Sequence, residues 1–147
     1  MNKVRVTLVA ICVLGAVLVA VSCGGGESGR AVKVTEKEWS VLTDVQRVKS
    51  GEVNFEDTNE GKVTHEFVIV KSDVALDELP LDADGKVDED QVETIGEIED
   101  ILPGSTHEAT FTLEPGKYIL ICNIAATEAD QSVLHYKNGM RTPLVVE

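Results

Sequence analysis

Basic residues, aromatics, histidine, cysteine and methionine are all scarce in this 147-residue sequence. Thirteen lysines and arginines stand against 26 aspartates and glutamates, giving a formal net charge of −13. Such acidity argues against nucleic acid as a partner and against direct electrostatic adhesion to anionic lipid. With three cysteines in the whole chain, a disulfide framework is excluded. Sustained helical periodicity and internal repeats are also missing, which leaves β structure as the expectation. Only one long hydrophobic run exists, Val6 to Val21, and it is short for a retained membrane span.

Lys3 and Arg5 precede that run, and Ala20-Val21-Ser22-Cys23-Gly24 closes it with small residues ahead of a cysteine. A basic start, an apolar stretch and a small-residue end form an export signal. The end resembles the lipobox of bacterial lipoproteins, with Ala20 where that motif more often has leucine. The resemblance implies a signal peptide over residues 1–22, lipidation of Cys23, and a glycine-rich flexible tether over residues 23–30. The alternative is ordinary cleavage that leaves Cys23 as a free thiol. An exported protein held on the cell membrane through Cys23, facing the periplasm or outer surface, is therefore expected. The leader carries two basic residues and no acid, so the exported part is more acidic still. Residues 31–147 suffice for one domain burying about two-thirds of its unfolded surface.

Cys12 departs with the leader and Cys23 is acylated, which leaves Cys122 alone. It closes the apolar stretch Tyr118-Ile119-Leu120-Ile121. A lone thiol in an oxidising compartment is a hazard unless something occupies the sulfur, and a metal ion is the simplest occupant. His135 and Met140 follow, and His65 lies on an earlier stretch. Two imidazoles, one thiolate and one thioether are the donor set of a blue-copper site. Taken singly, His65 reads as a core histidine, Met140 as core filling and Cys122 as a structural thiol. Their conjunction carries the copper reading.

Around these residues the chain reads as short strands between turn signals. Val32 and Val34 alternate with polar residues, as do Val53 and Phe55. From Val63 to Lys71, period-two alternation puts Val63, His65, Phe67 and Ile69 on one face, with Thr64, Glu66, Val68 and Val70 on the other. Glu114-Pro115-Gly116-Lys117 fits a type II turn. Tyr118 to Ile121 is continuously apolar, as for a strand covered on both faces. Leu144 to Val146 supplies a last strand, and the whole suggests an antiparallel sandwich.

Leu113-x-Pro115-Gly116-x-Tyr118-x-x-x-Cys122-Asn123, then His135-Tyr136-x-x-Gly139-Met140, resembles the C-terminal copper loop of the cupredoxin family. Thr64-His65-Glu66-Phe67 resembles the strand that brings the first histidine in that family. The similarity extends over roughly Thr35 to Val146. It implies an all-β Greek-key sandwich of about seven or eight strands, with one type 1 copper ion held by His65, Cys122, His135 and Met140. Two departures stand out. Twelve residues separate Cys122 from His135, where relatives commonly have four or fewer, and Ala125 to Ser132 reads as a short helix capped by Thr127. Glu66 follows the first histidine where many relatives have asparagine.

Remaining features carry less. His107 reads as a strand-end surface residue and Trp39 as core. Asp77 to Asp100 holds eleven acids against Lys86 alone, and reads either as a solvated excursion or as a steering surface for a basic redox partner. Its spacing does not suit a calcium loop, since Pro80 and Gln91 fall where carboxylates are required. The expected function is a membrane-anchored monomer carrying single electrons, with His135 as the exposed edge through which they pass, and no enzymatic activity. The alternatives are a copper-delivery lipoprotein and a metal-free partner-binding domain.

Overall fold

A computed structural model describes residues 31–128 and 131–147. The signal segment 1–22, Cys23 and the tether 23–30 lie outside the described residues. Eleven strands follow in order: β1 (Val32–Lys37), β2 (Ser40–Thr43), β3 (Arg47–Val48), β4 (Gly51–Asn59), β5 (His65–Lys71), β6 (Glu93–Ile101), β7 (Thr106–Leu113), β8 (Gly116–Ile121), β9 (Ala125–Glu128), β10 (Gln131–Leu134) and β11 (Arg141–Val146). One sheet has the order β2-β1-β4-β7, the other β3-β11-β8-β5-β6, and β9 and β10 form a separate hairpin. The two sheets pack as a sandwich. The strand count exceeds the expected seven or eight because of the two-residue β3 and the β9–β10 pair. The sandwich is also not purely antiparallel, since β1 runs parallel to β4 and β3 parallel to β11.

Alternation explains the core between the sheets. Val32 and Val34 of β1 face inward with Val53 and Phe55 of β4, against Phe67 and Ile69 of β5, Leu120 of β8 and Leu144 of β11. Phe55 and Phe67 meet at 5.2 Å between ring centroids in a tilted pair, a favoured geometry for aromatic contacts. Near one end the same inward register turns polar: Glu36, Asp57 and Asn59 are fully buried. Asn59 is satisfied by the carbonyls of Val63 and Ile101. All four carboxyl oxygens of Glu36 and Asp57 lack a hydrogen-bond partner among the described residues. Burial, with Asp57 nearby, pushes Glu36 up to about 10, and burial alone pushes Asp57 up to about 7.

The outer face of the second sheet is covered as well. Val68, Val70, Ile119 and Ile121 pack beneath Leu79, Val87 and Tyr136. This accounts for the unbroken apolar runs in β5 and β8. The cover comes from the acidic stretch, which is therefore not simply a solvated excursion. Its first part folds over the sheet through Leu79 and Val87, and its last part is the edge strand β6, paired antiparallel with β5. Gly116 takes φ 158° rather than the roughly +80° of a type II turn. That corner is held instead by the Tyr118 hydroxyl, which donates to the Glu114 carbonyl at 2.8 Å.

Candidate metal centre

Antiparallel pairing of β5 with β8, Val68 opposite Ile121, brings the start of one strand beside the end of the other. His65 opens β5 and Cys122 directly follows β8, so both arrive at the same end of the sandwich. Strand β11 pairs with β8 through Arg141 and Ile121, and the Cys122 N–H donates to the Met140 carbonyl at 3.1 Å. Met140 is thereby tied to the cysteine by backbone, and its side chain is fully buried in the core that contains Cys122.

His135 reaches the same place despite the long insertion. Residues 125–128 and 131–134 form the β9–β10 hairpin, not the expected helix; residues 129 and 130 lie outside the described residues. The His135 N–H donates to the Ile124 carbonyl at 3.0 Å and closes the hairpin at its base. A hairpin returns its ends to adjacent positions whatever its length, so His135 lies beside Cys122 as if only Asn123 and Ile124 intervened.

The three donor atoms form a small triangle. His65 Nδ1 is 3.3 Å from His135 Nδ1, and Cys122 Sγ is 3.8 Å from the first and 3.2 Å from the second. The point equidistant from all three lies about 2.0 Å from each, a usual distance from a metal ion to imidazole nitrogen and about 0.3 Å shorter than one to thiolate sulfur. All three side chains are fully buried, and these residues form a cluster able to hold a metal ion. One thiol and two imidazoles suit a type 1 copper ion. His107 sits near the start of β7 opposite Asp57 and has no place in the cluster.

Electrostatics keep the metal-free site neutral. Burial pushes the Cys122 thiol far up, Glu36 adds to this, and the N–H groups of Glu66 and Ile124 oppose it. Glu66 N lies 3.4 Å from the sulfur. Burial and the neighbouring His65 bring His135 down to about 4. Burial lowers His65 too, partly offset by Glu38.

Several partners were not evident from sequence. Glu66, in place of asparagine, accepts the Asn123 N–H at 3.0 Å and so links the two donor-bearing segments. Asn123 accepts from Val87 N–H at 2.7 Å and donates to the Val87 carbonyl and Glu89. The Tyr136 hydroxyl accepts from Leu79 N–H and donates to the Leu76 carbonyl. The residues after Cys122 and after His135 are thus both anchored in the acidic stretch. The two-residue turn Glu38-Trp39 between β1 and β2 supplies the outer wall. Trp39 is partly buried, packs against the core between the sheets, and meets the His135 ring edge-on at 5.2 Å. His135 is consequently not the exposed edge expected of it. Glu38 Oε1 lies 3.6 Å from His65 Nε2, too far for a hydrogen bond, and two backbone N–H donors hold the carboxyl below its ordinary range.

No protein-family model and no curated protein matches the sequence. Solved structures do match. A dithionite-reduced auracyanin from the photosynthetic bacterium Roseiflexus castenholzii aligns at 24% identity and TM-score 0.55, covering 78% of this chain and 94% of its own. Auracyanin B aligns at 20% identity and TM-score 0.55, covering 80% and 88%. The fold is cupredoxin-like. Rusticyanin from Thiobacillus ferrooxidans aligns at 17% identity and TM-score 0.54, covering 82% and 79%. Identities at this level speak to this cupredoxin-like fold alone; the donor triangle is the separate observation that speaks to metal.

Proposed function

We propose that this protein is a single-electron carrier in which His65, Cys122, His135 and Met140 hold one type 1 copper ion. The observation that carries the reading is the buried triangle of His65, Cys122 and His135 donors at metal-binding separations. Bound there, copper supplies a one-electron couple. The chain supplies three things to it. Strand ends and the hairpin base keep the donors in place, so little rearrangement accompanies a change of charge. Complete burial excludes water and added ligands, which favours a carrier over a site that releases its ion. Trp39, partly buried and edge-on to His135, is the group through which an electron reaches the ring. The reading includes no enzymatic activity.

The carrier works as an exported monomer, anchored to the membrane through lipid on Cys23. Its redox partner is a protein with a basic face. Glu97, Glu99 and Asp100 are exposed on the edge strand β6, whose end at Ile101 pairs with His65. Charge at that edge steers a basic partner toward the metal end and makes association salt-dependent.

The test is titration of the protein with Cu(II) beside a Cys122→Ser control, followed by visible absorption and electron paramagnetic resonance. An intense thiolate-to-copper band with a small parallel hyperfine splitting, absent from the variant and bleached by mild reductant, is expected. Weak absorption unaffected by the substitution would rule out the type 1 site.

A further inference from the structure

The turn Glu38-Trp39 touches both loops that carry imidazoles. Gly61 and Gly139 record how closely it packs. A Cβ at Gly61 would meet Glu38 Oε1 at 2.5 Å and His65 Nε2 at 3.0 Å, and one at Gly139 would meet the Trp39 carbonyl at 3.0 Å. A side chain at either position would press on the turn, which lies between the His65 loop and the His135 loop. Glu38 is then immobilised, because its Oε1 accepts the N–H groups of Lys62 at 2.6 Å and Val63 at 3.0 Å. The same oxygen faces His65 Nε2 at 3.6 Å. That nitrogen is buried and has no hydrogen-bond partner among the described residues.

We propose that Glu38 is a positioning residue of the metal site, which turns His65 Nδ1 inward and favours Cu(II) over Cu(I) through its negative charge. The inference rests on the copper reading above. An imidazole that offers Nδ1 to a metal carries its proton on Nε2, and a carboxylate charge 3.6 Å from that nitrogen favours the proton there and so the ring orientation that leaves Nδ1 free. Holding the loop 61–63 requires only an acceptor oxygen, which glutamine also has. A carboxylate adds a charge, and a charge so placed acts on the oxidation state with the larger positive charge. The Glu38 side chain is 25% exposed, so solvent screens part of the effect.

The test compares the copper-loaded full chain as wild type, Glu38→Gln and Glu38→Asp, by potentiometric titration followed at the thiolate band. Glu38→Gln is expected to keep the band while lowering the ratio of Cu(II) to Cu(I) affinity about tenfold, a rise of about 59 mV for a one-electron couple. Glu38→Asp keeps the charge but retracts it, and its potential is expected between the other two. An unchanged or lowered potential in Glu38→Gln with an intact band would overturn the proposal. If Glu38→Gln does not fold, the aspartate variant decides, and a potential equal to wild type overturns it. A wild-type protein without a thiolate band fails differently, since it removes the copper reading and this inference with it.

Discussion

Glu36→Gln offers a direct test of how the sandwich interior is built. Glu36 is fully buried on β1 with both carboxyl oxygens unpartnered among the described residues, and it stands near the equally unpartnered Asp57. An ionised carboxylate without a partner is very costly there, so the folded protein keeps Glu36 protonated. Its folded value is about 10 against an ordinary 4.5. Between pH 5 and 8 the unfolded chain therefore releases this proton and the folded protein retains it. The sign follows from linkage: the unfolded state binds fewer protons, so stability is highest at low pH and falls as pH rises. One proton corresponds to about 1.4 kcal/mol per pH unit, hence at most about 4 kcal/mol over that interval. That is a large part of the roughly 5–15 kcal/mol by which domains are stable. Glutamine has no proton to lose and removes this slope. What remains includes Asp57, whose contribution is lost as pH rises toward about 7. Urea unfolding of the metal-free protein at several pH values measures both curves. The variant curve is expected to be flatter by about 1.4 kcal/mol per pH unit and to lie above wild type at pH 8. Parallel curves would refute the assignment of a neutral buried Glu36.

Three further outcomes are expected. Gly61→Ala forces a methyl group against Glu38 and His65 Nε2, and should weaken Cu(II) affinity at least about tenfold, roughly 1.4 kcal/mol; an unchanged affinity in a competition titration would show that the loop yields freely. Tyr136→Phe strands the Leu79 N–H and the Leu76 carbonyl, and should cost about 1–3 kcal/mol in urea unfolding; a loss below about 0.3 kcal/mol would mean that the acidic stretch does not anchor the metal loop. Cu(II) loading near neutral pH should release about one proton per ion, because the thiol is held protonated while the imidazoles are already neutral. Calorimetry in buffers of different ionisation enthalpy reads that number, and a value near zero would contradict a protonated resting thiol.

The proposed ligands were legible because the chemistry restricts them: few residue types bind copper, and the sequence contains only one cysteine and two histidines in the order and setting required. Strands β5 and β8 were legible for a related reason, since burial on one or both faces writes itself into residue alternation or an unbroken apolar run. Strand β6 was not, because an edge strand with exposed glutamates has the local composition of a solvated loop. The β9–β10 hairpin was misread as a helix, since Ala125, Ala126 and Ala129 favour helix locally and only the hydrogen bond from His135 to Ile124 reveals the base that makes the insertion harmless.

Alternation, a leader pattern and four donor residues were thus enough, from the sequence alone, to imply a β-sandwich with a thiolate and imidazole site. Tertiary structure decided the surroundings: Trp39 over His135, Glu38 opposite His65, Glu66 bonded to Asn123, and the acidic stretch gripping Tyr136. The physical reason is range. A ligand announces itself by its own chemistry, whereas an acid or tryptophan acquires a role only from what the fold brings against it, and residues dozens of positions apart leave no local mark of that contact.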